Sequence, residues 1–430
     1  MIKKLGIIFL AILLVAFSTA CNKDTEKTAS NAGGSKAKDE PVDLTFMMWG
    51  NEAHQEVYNQ LIAKFNETHP NIKVKMESVP FPDYQQKITV LAAGKELPDV
   101  GWVAERMVPQ FMQNGILEDV SSFKKDKDYD MNDFFPSTLD LFEKDKKLYG
   151  IPFSTPPMVL FYNKDLFVKV GEKTPNEHVQ AGTWNWEQFE KSAKAISSNG
   201  VYGANFFRDW NTWIALLSHT WGYGGDLFNK DQTKFAWNSP EGVNTLKMLD
   251  RMMFKDASHP KAGEQVSFES GKIGMFFDVY SYVSRAREVK DFAWDIAPLP
   301  EGPEGRFPML GQAGYGLFKG SKHPEEAKEL LKFFTSKEGI KATSTYFVPP
   351  RESVISSDDF VNQPNNPPVE SIQRAVIDEM DNARLQAGHV EWQKIDNAIQ
   401  FGFDELFGQL KKPEDILKDM EAKINPLLKK

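Results

Sequence analysis

From residue 42 onward the apolar positions fall into a recurring order. Residues 42–49, VDLTFMMW, form an apolar run of strand length. In 51–68, Val57, Leu61 and Phe65 stand four apart with Tyr58 and Ile62 beside them, which is one face of a helix. His69-Pro70 ends it, because the residue before a proline is pushed out of helical geometry. Ile72, Val74 and Met76 alternate with Lys73, Lys75 and Glu77, a strand with one wet face. Residues 81–93 read as a second helix closed by Gly94, and 98–103 as a third strand. Strand, helix, strand, helix, strand at this spacing predicts a parallel, doubly wound sheet.

Further helices are expected over 186–197, 210–220, 240–254, 324–335, 369–382, 389–410 and 413–428. Short strands are expected over 148–153, 159–163, 273–277, 294–298 and 314–318. The 324–335 helix is well punctuated: Pro324 at its first position, Glu325 and Glu326 in its first turn, Gly339 just past its end. Residues 350–368, with five prolines at 349, 350, 364, 367 and 368 in or beside them, read as a crossing or surface segment.

The first forty residues follow a different rule. Lys3 and Lys4 precede an apolar run over 5–17, too short for a spanning helix of ~20 residues, and Ser18, Thr19 and Ala20 follow. Cys21, the only cysteine, comes next. This resembles a bacterial lipobox with Ser18 where Leu is usual, so residues 1–20 are expected to be a signal peptide and Cys21 to carry lipid. Residues 22–41 hold no large apolar side chain and are expected to stay unfolded, a tether reaching about 25 Å.

Composition narrows the function. Of 430 residues 41% are hydrophobic and 26% charged, enough for a sizeable core, and the length allows two or three domains. A net charge of −9 gives no electrostatic footprint for nucleic acid. One Cys and dispersed His leave no disulfide framework, thiolate site or helical zinc pair. Neither a G-x-S-x-G elbow nor a G-x-x-x-x-G-K-[ST] loop occurs. Asp126, Asp128 and Asp130 alternate like a calcium loop, but Met131 and Ser137 stand where Gly and Glu are needed. No metal or cofactor is expected.

The ten Trp residues suggest binding instead. Trp49, Asn51 and Glu52 fall where the first strand meets the first helix, the edge at which open α/β sheets bind ligands. Trp102 lies in the third strand, with Glu105 and Arg106 after it. Trp210 and Trp221 bracket one helix, Asp278 and Tyr280 end a strand with Tyr282 close by, and Trp392 opens a late helix. Indole faces suit the C–H face of a pyranose, and neighbouring carboxylates, amides and guanidinium groups suit its hydroxyls. Trp213, Trp237 and Trp294 are expected in the core.

Several motifs then occur in one order: Trp49-Gly50-Asn51, Leu97-Pro98-Asp99-Val100, Tyr149-Gly150-Ile151-Pro152, Phe161-Tyr162-Asn163-Lys164-Asp165-Leu166-Phe167, Thr183-Trp184, Gly224-Gly225, Phe268-Glu269-Ser270-Gly271-Lys272-Ile273-Gly274-Met275 and Gly314-Tyr315-Gly316-Leu317. Across about 42–425 the chain resembles the family 1 bacterial extracellular solute-binding lipoproteins, which feed carbohydrate ABC importers. The resemblance implies an α/β, two-lobed periplasmic-binding-protein-like fold of type II, each lobe a doubly wound sheet flanked by helices. The lobes would be 42–153 with 313–350 and 157–306 with 357–430, joined by three crossings near 154–160, 307–312 and 348–356.

The resemblance also implies a cleft ligand. The near lobe would offer Trp49, Asn51, Glu52, Trp102, Glu105 and Arg106; the far lobe Trp210, Trp221, Asp278 and Tyr280; the late helix Trp392. Relatives often carry Trp after the Gly-Lys-x-Gly-Met strand, where this chain has Tyr280 and Tyr282. The expected function is capture of a carbohydrate, an oligosaccharide given the many aromatics, for delivery to a membrane permease. The protein would be a lipid-anchored monomer on the outer face of the cell membrane, and no enzyme. The rivals are a cell-surface carbohydrate-active enzyme and a binder of some other solute on the same fold.

Overall fold

A computed structural model describes residues 41–50, 52–208, 212–385 and 388–429. The signal peptide, the tether, Cys21, Asn51 and Trp210 lie outside the described residues. The strands are β1 (Val42–Met48), β2 (Ile72–Ser78), β3 (Val100–Ala104), β4 (Glu143–Lys144), β5 (Lys147–Leu148), β6 (Ile151–Ser154), β7 (Met158–Asn163), β8 (Tyr202–Asn205), β9 (Ile273–Val279), β10 (Trp294–Ala297), β11 (Met309–Leu310), β12 (Ala313–Leu317) and β13 (Arg384–Leu385). The principal helices are α1 (Glu52–Thr68), α2 (Phe81–Gly94), α3 (Val108–Gln113), α4 (Trp186–Ile196), α5 (Pro240–Asp250), α6 (Pro324–Phe334), α7 (Lys337–Thr343), α8 (Trp392–Phe407) and α9 (Pro413–Ile424).

Two sheets organise these elements. The first has the order β2-β1-β3-β12-β6. β1 pairs in parallel with β2 and β3, as the strand–helix alternation predicts, whereas β12 enters antiparallel to β3 and β6. Tyr58, Leu61, Ile62 and Phe65 of α1 pack on this sheet from one side and Ala327, Leu330, Leu331 and Phe334 of α6 join the same core. The second sheet, β10-β7-β9-β8, carries one core on each face. The final helices close one of those cores with Ile395, Ile399 and Phe403 of α8 and Ile416, Leu417 and Met420 of α9.

The chain passes between the two sheets more than once. It leaves β6 at Ser154, enters β7 at Met158, and returns from β11 to β12. Here the Thr155 N–H donates to the Val348 carbonyl at 3.0 Å, and the Gly311 N–H to the Pro156 carbonyl at 2.9 Å. Three stretches of chain thus lie side by side, tied by backbone bonds.

Some expected elements are built differently. Gly339 does not follow α6 but lies inside α7, its N–H held at 3.1 Å by Ser336 Oγ in an N-cap. Lys95, in the left-handed conformation, caps α2 where Gly94 was expected to end it. The 240–254 and 369–382 helices each loosen into a π-turn, Arg251–Lys255 and Gln373–Ile377. The helix expected over 210–220 is a 3₁₀ turn, Trp213–Leu216, running into a short helix, Leu217–Gly222. Trp213 and Trp237 are core residues, while Trp294 is only half-buried.

Candidate functional site

The carboxyl end of the first sheet carries an aromatic floor. Trp49 is the first residue beyond β1, so its ring leans out of the sheet and stays half-buried. It meets Trp102 edge to face at 4.9 Å and Tyr84 at 5.0 Å. Trp102 lies mid-strand in β3 and is only 1% exposed, enclosed by Tyr58, Phe153 and Phe347. The segment after α7 adds Tyr346 and Phe347: His54 stacks on Phe347 at 5.2 Å and meets Tyr346 edge-on at 4.9 Å.

Charged groups follow β3. Glu105 is held by burial above the usual carboxylate range. Arg106 Nε donates to Gln85 Oε1 at 3.3 Å, and burial lowers its pKa while Glu105 and Asp396 work to raise it. Glu52 is exposed in the first turn of α1.

The second sheet presents its own set. Asp278, near the end of β9, accepts from the Val279 N–H at 2.8 Å and from Arg208 at 3.3 Å. Trp213 Nε1 donates to Asp396 Oδ1 at 2.8 Å, and Trp392 stacks on Trp213 at 6.3 Å. Burial raises the pKa of Asp396, opposed by the Trp213 bond and by Arg106. Arg106 and Asp396 therefore feel each other's charge, although one follows a strand of the first sheet and the other lies on α8 over the second.

The other expected ligand residues are more enclosed. Trp221 is 3% exposed, donates to Asp226 at 2.9 Å, and has the Arg384 guanidinium 5.8 Å over its ring. Tyr280 is buried against Phe360, and Tyr282 against Phe161 and Phe276, so neither offers an open ring face. Trp49, Glu105 and Arg106 thus follow strands of the first sheet, with Trp102 packed behind Trp49; in the second, Trp392 and Trp221 belong to one core and Tyr280 to the core on the other face.

Reading the sequence missed Asp396, Arg208, His54, Tyr346 and Phe347. Only Asp396 left a usable signal: it stands four residues after Trp392, one turn along the same helical face.

Comparison with known proteins decides the family. Residues 50–341 match the model of the bacterial extracellular solute-binding proteins. The chain belongs to this family. The arabinooligosaccharide-binding protein of Bacillus subtilis is 26% identical to this solute-binding protein, with 96% of this chain and 98% of the relative covered. The diacetylchitobiose-binding protein of Streptomyces coelicolor is 25% identical, covering 83% of each. An ABC substrate-binding protein of Listeria monocytogenes, solved with cycloalternan, superposes with a TM-score of 0.79 at 24% identity over 90% of this chain and 99% of its own. The fold is the two-lobed type II binding-protein fold, and the protein is a solute binder rather than an enzyme. Among the described residues no helix is long and apolar enough to cross a membrane.

Proposed function

We propose that this protein captures a carbohydrate, an oligosaccharide, between its two lobes and hands it intact to the permease of an ABC importer. The observation that carries the reading is the charge interaction between Arg106, which follows β3, and Asp396 of α8, in elements next to or bearing the half-buried indoles Trp49 and Trp392. Rings of this kind take the apolar face of a sugar, and carboxylate and guanidinium groups take its hydroxyls. The relatives named for arabinooligosaccharide and diacetylchitobiose support the same ligand class.

The lobes are 42–153 with 313–350 and 157–306 with 357–430, and they move on the crossings near 154–160, 307–312 and 348–356. A sugar docked on one lobe completes its hydrogen bonds only when the other closes, so it shifts the equilibrium by its differential affinity for the closed form. Micromolar binding corresponds to about −8 kcal/mol. Lipid on Cys21 keeps this monomer at the outer face of the cell membrane, where two acyl chains hold far better than one.

The test is calorimetric titration of residues 22–430 against mono- and oligosaccharides, with the sugar's mass checked afterwards. Saturable one-to-one binding with intact sugar is expected. A cleaved sugar overturns the capture reading in favour of catalysis. Failure of every sugar to bind turns the assignment to another solute on the same fold.

A further inference from the structure

A cavity lies on the segments that adjoin two of the site residues in the chain. The chain runs from Arg106 directly into α3, and from residues 388–390 directly into Trp392. Between these flanks lies a cavity of about 320 Å3, lined by Pro109, Met112 and Gln113 of α3, by Lys144 of β4, and by His389 and Val390. Gly388 closes one wall: a Cβ there would come within 2.7 Å of Pro109 Cγ, so only glycine permits this approach. The cavity thus draws on elements beside both halves of the aromatic and charged site.

Its chemistry differs from that of the main site. Met112, Pro109 and Val390 supply apolar surface. Every strongly polar group is a hydrogen-bond donor or carries an amide. Lys144 is exposed and has no ion-pair partner among the described residues. It belongs to the β4–β5 hairpin, whose turn, Asp145 and Lys146, has positive φ at both positions, and which bears Lys144, Lys146 and Lys147 together. Of the hairpin's two acids, Glu143 is bonded to Lys124 at 2.6 Å and Asp145 lies in the exposed turn outside the cavity lining, while Asp119 pairs with Lys147 at 3.5 Å. Glu391 pairs with Lys394. His389 Nδ1 accepts from the Glu391 N–H at 3.1 Å, which leaves its proton on Nε2 as a donor. The cavity lining therefore holds one positive charge, Lys144, and no acid, on a protein of net charge −9.

We infer that this pocket receives the far end of an extended oligosaccharide and selects one that carries a carboxylate there, a uronic-acid residue. The inference rests on the carbohydrate reading and deepens it. The sugar ring lies against Met112 and Val390, the carboxylate takes the Lys144 ammonium and the His389 and Gln113 donors, and the rest of the chain continues to Trp392 and Arg106. A charge-assisted bond of this kind is worth about tenfold or more in affinity.

The test uses three ligands on one backbone, with the mature full-length chain. The neutral oligosaccharide that binds best in the panel is the parent. Its C6-oxidised uronate form and the methyl ester of that form are the probes, alike in size and different in charge. The native protein is expected to bind the uronate about tenfold tighter than its ester, with the ratio shrinking as salt rises. Lys144→Gln is expected to bring that ratio close to one, and Lys144→Glu to invert it. Equal affinity for uronate and ester in the native protein overturns the inference, as does a ratio that survives Lys144→Gln. Binding of the neutral parent reports separately on the carbohydrate reading, so failure of one is distinguishable from failure of the other.

Discussion

The indole of Trp213 donates to the carboxylate of Asp396 at 2.8 Å, and this bond sets the geometry of the late helix at the site. The Trp213 ring is 2% exposed, so its N–H has no solvent to turn to. Asp396 in turn faces the charge of Arg106. Asp396→Ala leaves the buried donor unpaired and is expected to cost about 1–3 kcal/mol of stability. Asp396→Asn keeps an acceptor for the indole and is expected to recover most of that loss while still weakening ligand binding, because the charge opposite Arg106 is gone. Chemical denaturation and calorimetry check the two effects. An Asn variant that binds sugar as tightly as the native protein, with the same salt dependence, would rule out a role for the pair.

Trp49 and Trp102 touch, yet only Trp49 has surface to offer. Trp49→Ala is expected to lower sugar affinity about tenfold or more, and Trp49→Phe to keep most of it, since a ring still fills the place between Trp102 and Tyr84. Titration calorimetry reads both. Unchanged affinity in Trp49→Ala would move the stacking platform elsewhere.

Arg351, 1% exposed, anchors the segment that follows Val348. Its guanidinium donates to the carbonyls of Thr335 at 2.9 Å, Asp130 at 3.0 Å and Tyr129 at 3.0 Å, pairs with Asp133 at 3.2 Å, and lies 4.1 Å over Phe134. Arg351→Met fills much of the space but leaves the carbonyls of Thr335 and Tyr129 without this donor, while the Asp130 carbonyl keeps the Asp133 N–H and the Asp133 carboxylate keeps the Ser353 N–H and hydroxyl. The expected loss is about 2–4 kcal/mol, the cost of leaving two buried carbonyls unpaired, read by urea unfolding. A loss under about 1 kcal/mol would show that water replaces the guanidinium.

Two buried imidazoles give the protein a pH signature. Burial pushes His259 down to about 4 and His219 down to about 3. The His259 Nδ1–H donates to the Pro260 carbonyl at 2.7 Å, while Nε2 accepts from the Phe206 N–H at 3.0 Å, an arrangement that a second proton breaks. The unfolded chain protonates each imidazole near pH 6.5, and the folded chain resists until about pH 4. Stability is therefore lost as pH falls from about 6.5 toward 4, by about 1.4 kcal/mol per unit for each histidine. Buried Asp295 and Glu379, whose pKa values burial raises, act in the opposite sense at the acid end of this range. The informative quantity is thus the difference between the native protein and His259→Gln, whose stability should fall less steeply with acid. Parallel slopes for the two would remove His259 from the account.

Much of the architecture was determined by the sequence alone. The apolar spacing in 42–103 sets β1, α1, β2, α2 and β3 and their parallel pairing, because a half-buried strand and a one-faced helix each force their own period on the chain. The motif order placed the family. Trp49, Glu105, Arg106, Asp278 and Trp392 could be proposed from the sequence because each falls at or near the end of a strand or the start of a helix, where side chains escape the sheet. Tertiary structure alone decided which aromatic rings stay open. Trp102 belongs to β3, which β1 and β12 flank and which helices cover, so its ring is enclosed, whereas Trp49 lies one residue past its strand. Tertiary structure also brought Asp396 toward Arg106 and set Tyr346 and Phe347 against His54. Those partners lie far apart along the chain, and periodicity reports only which face of its own element a residue occupies, never which distant element will come to cover it.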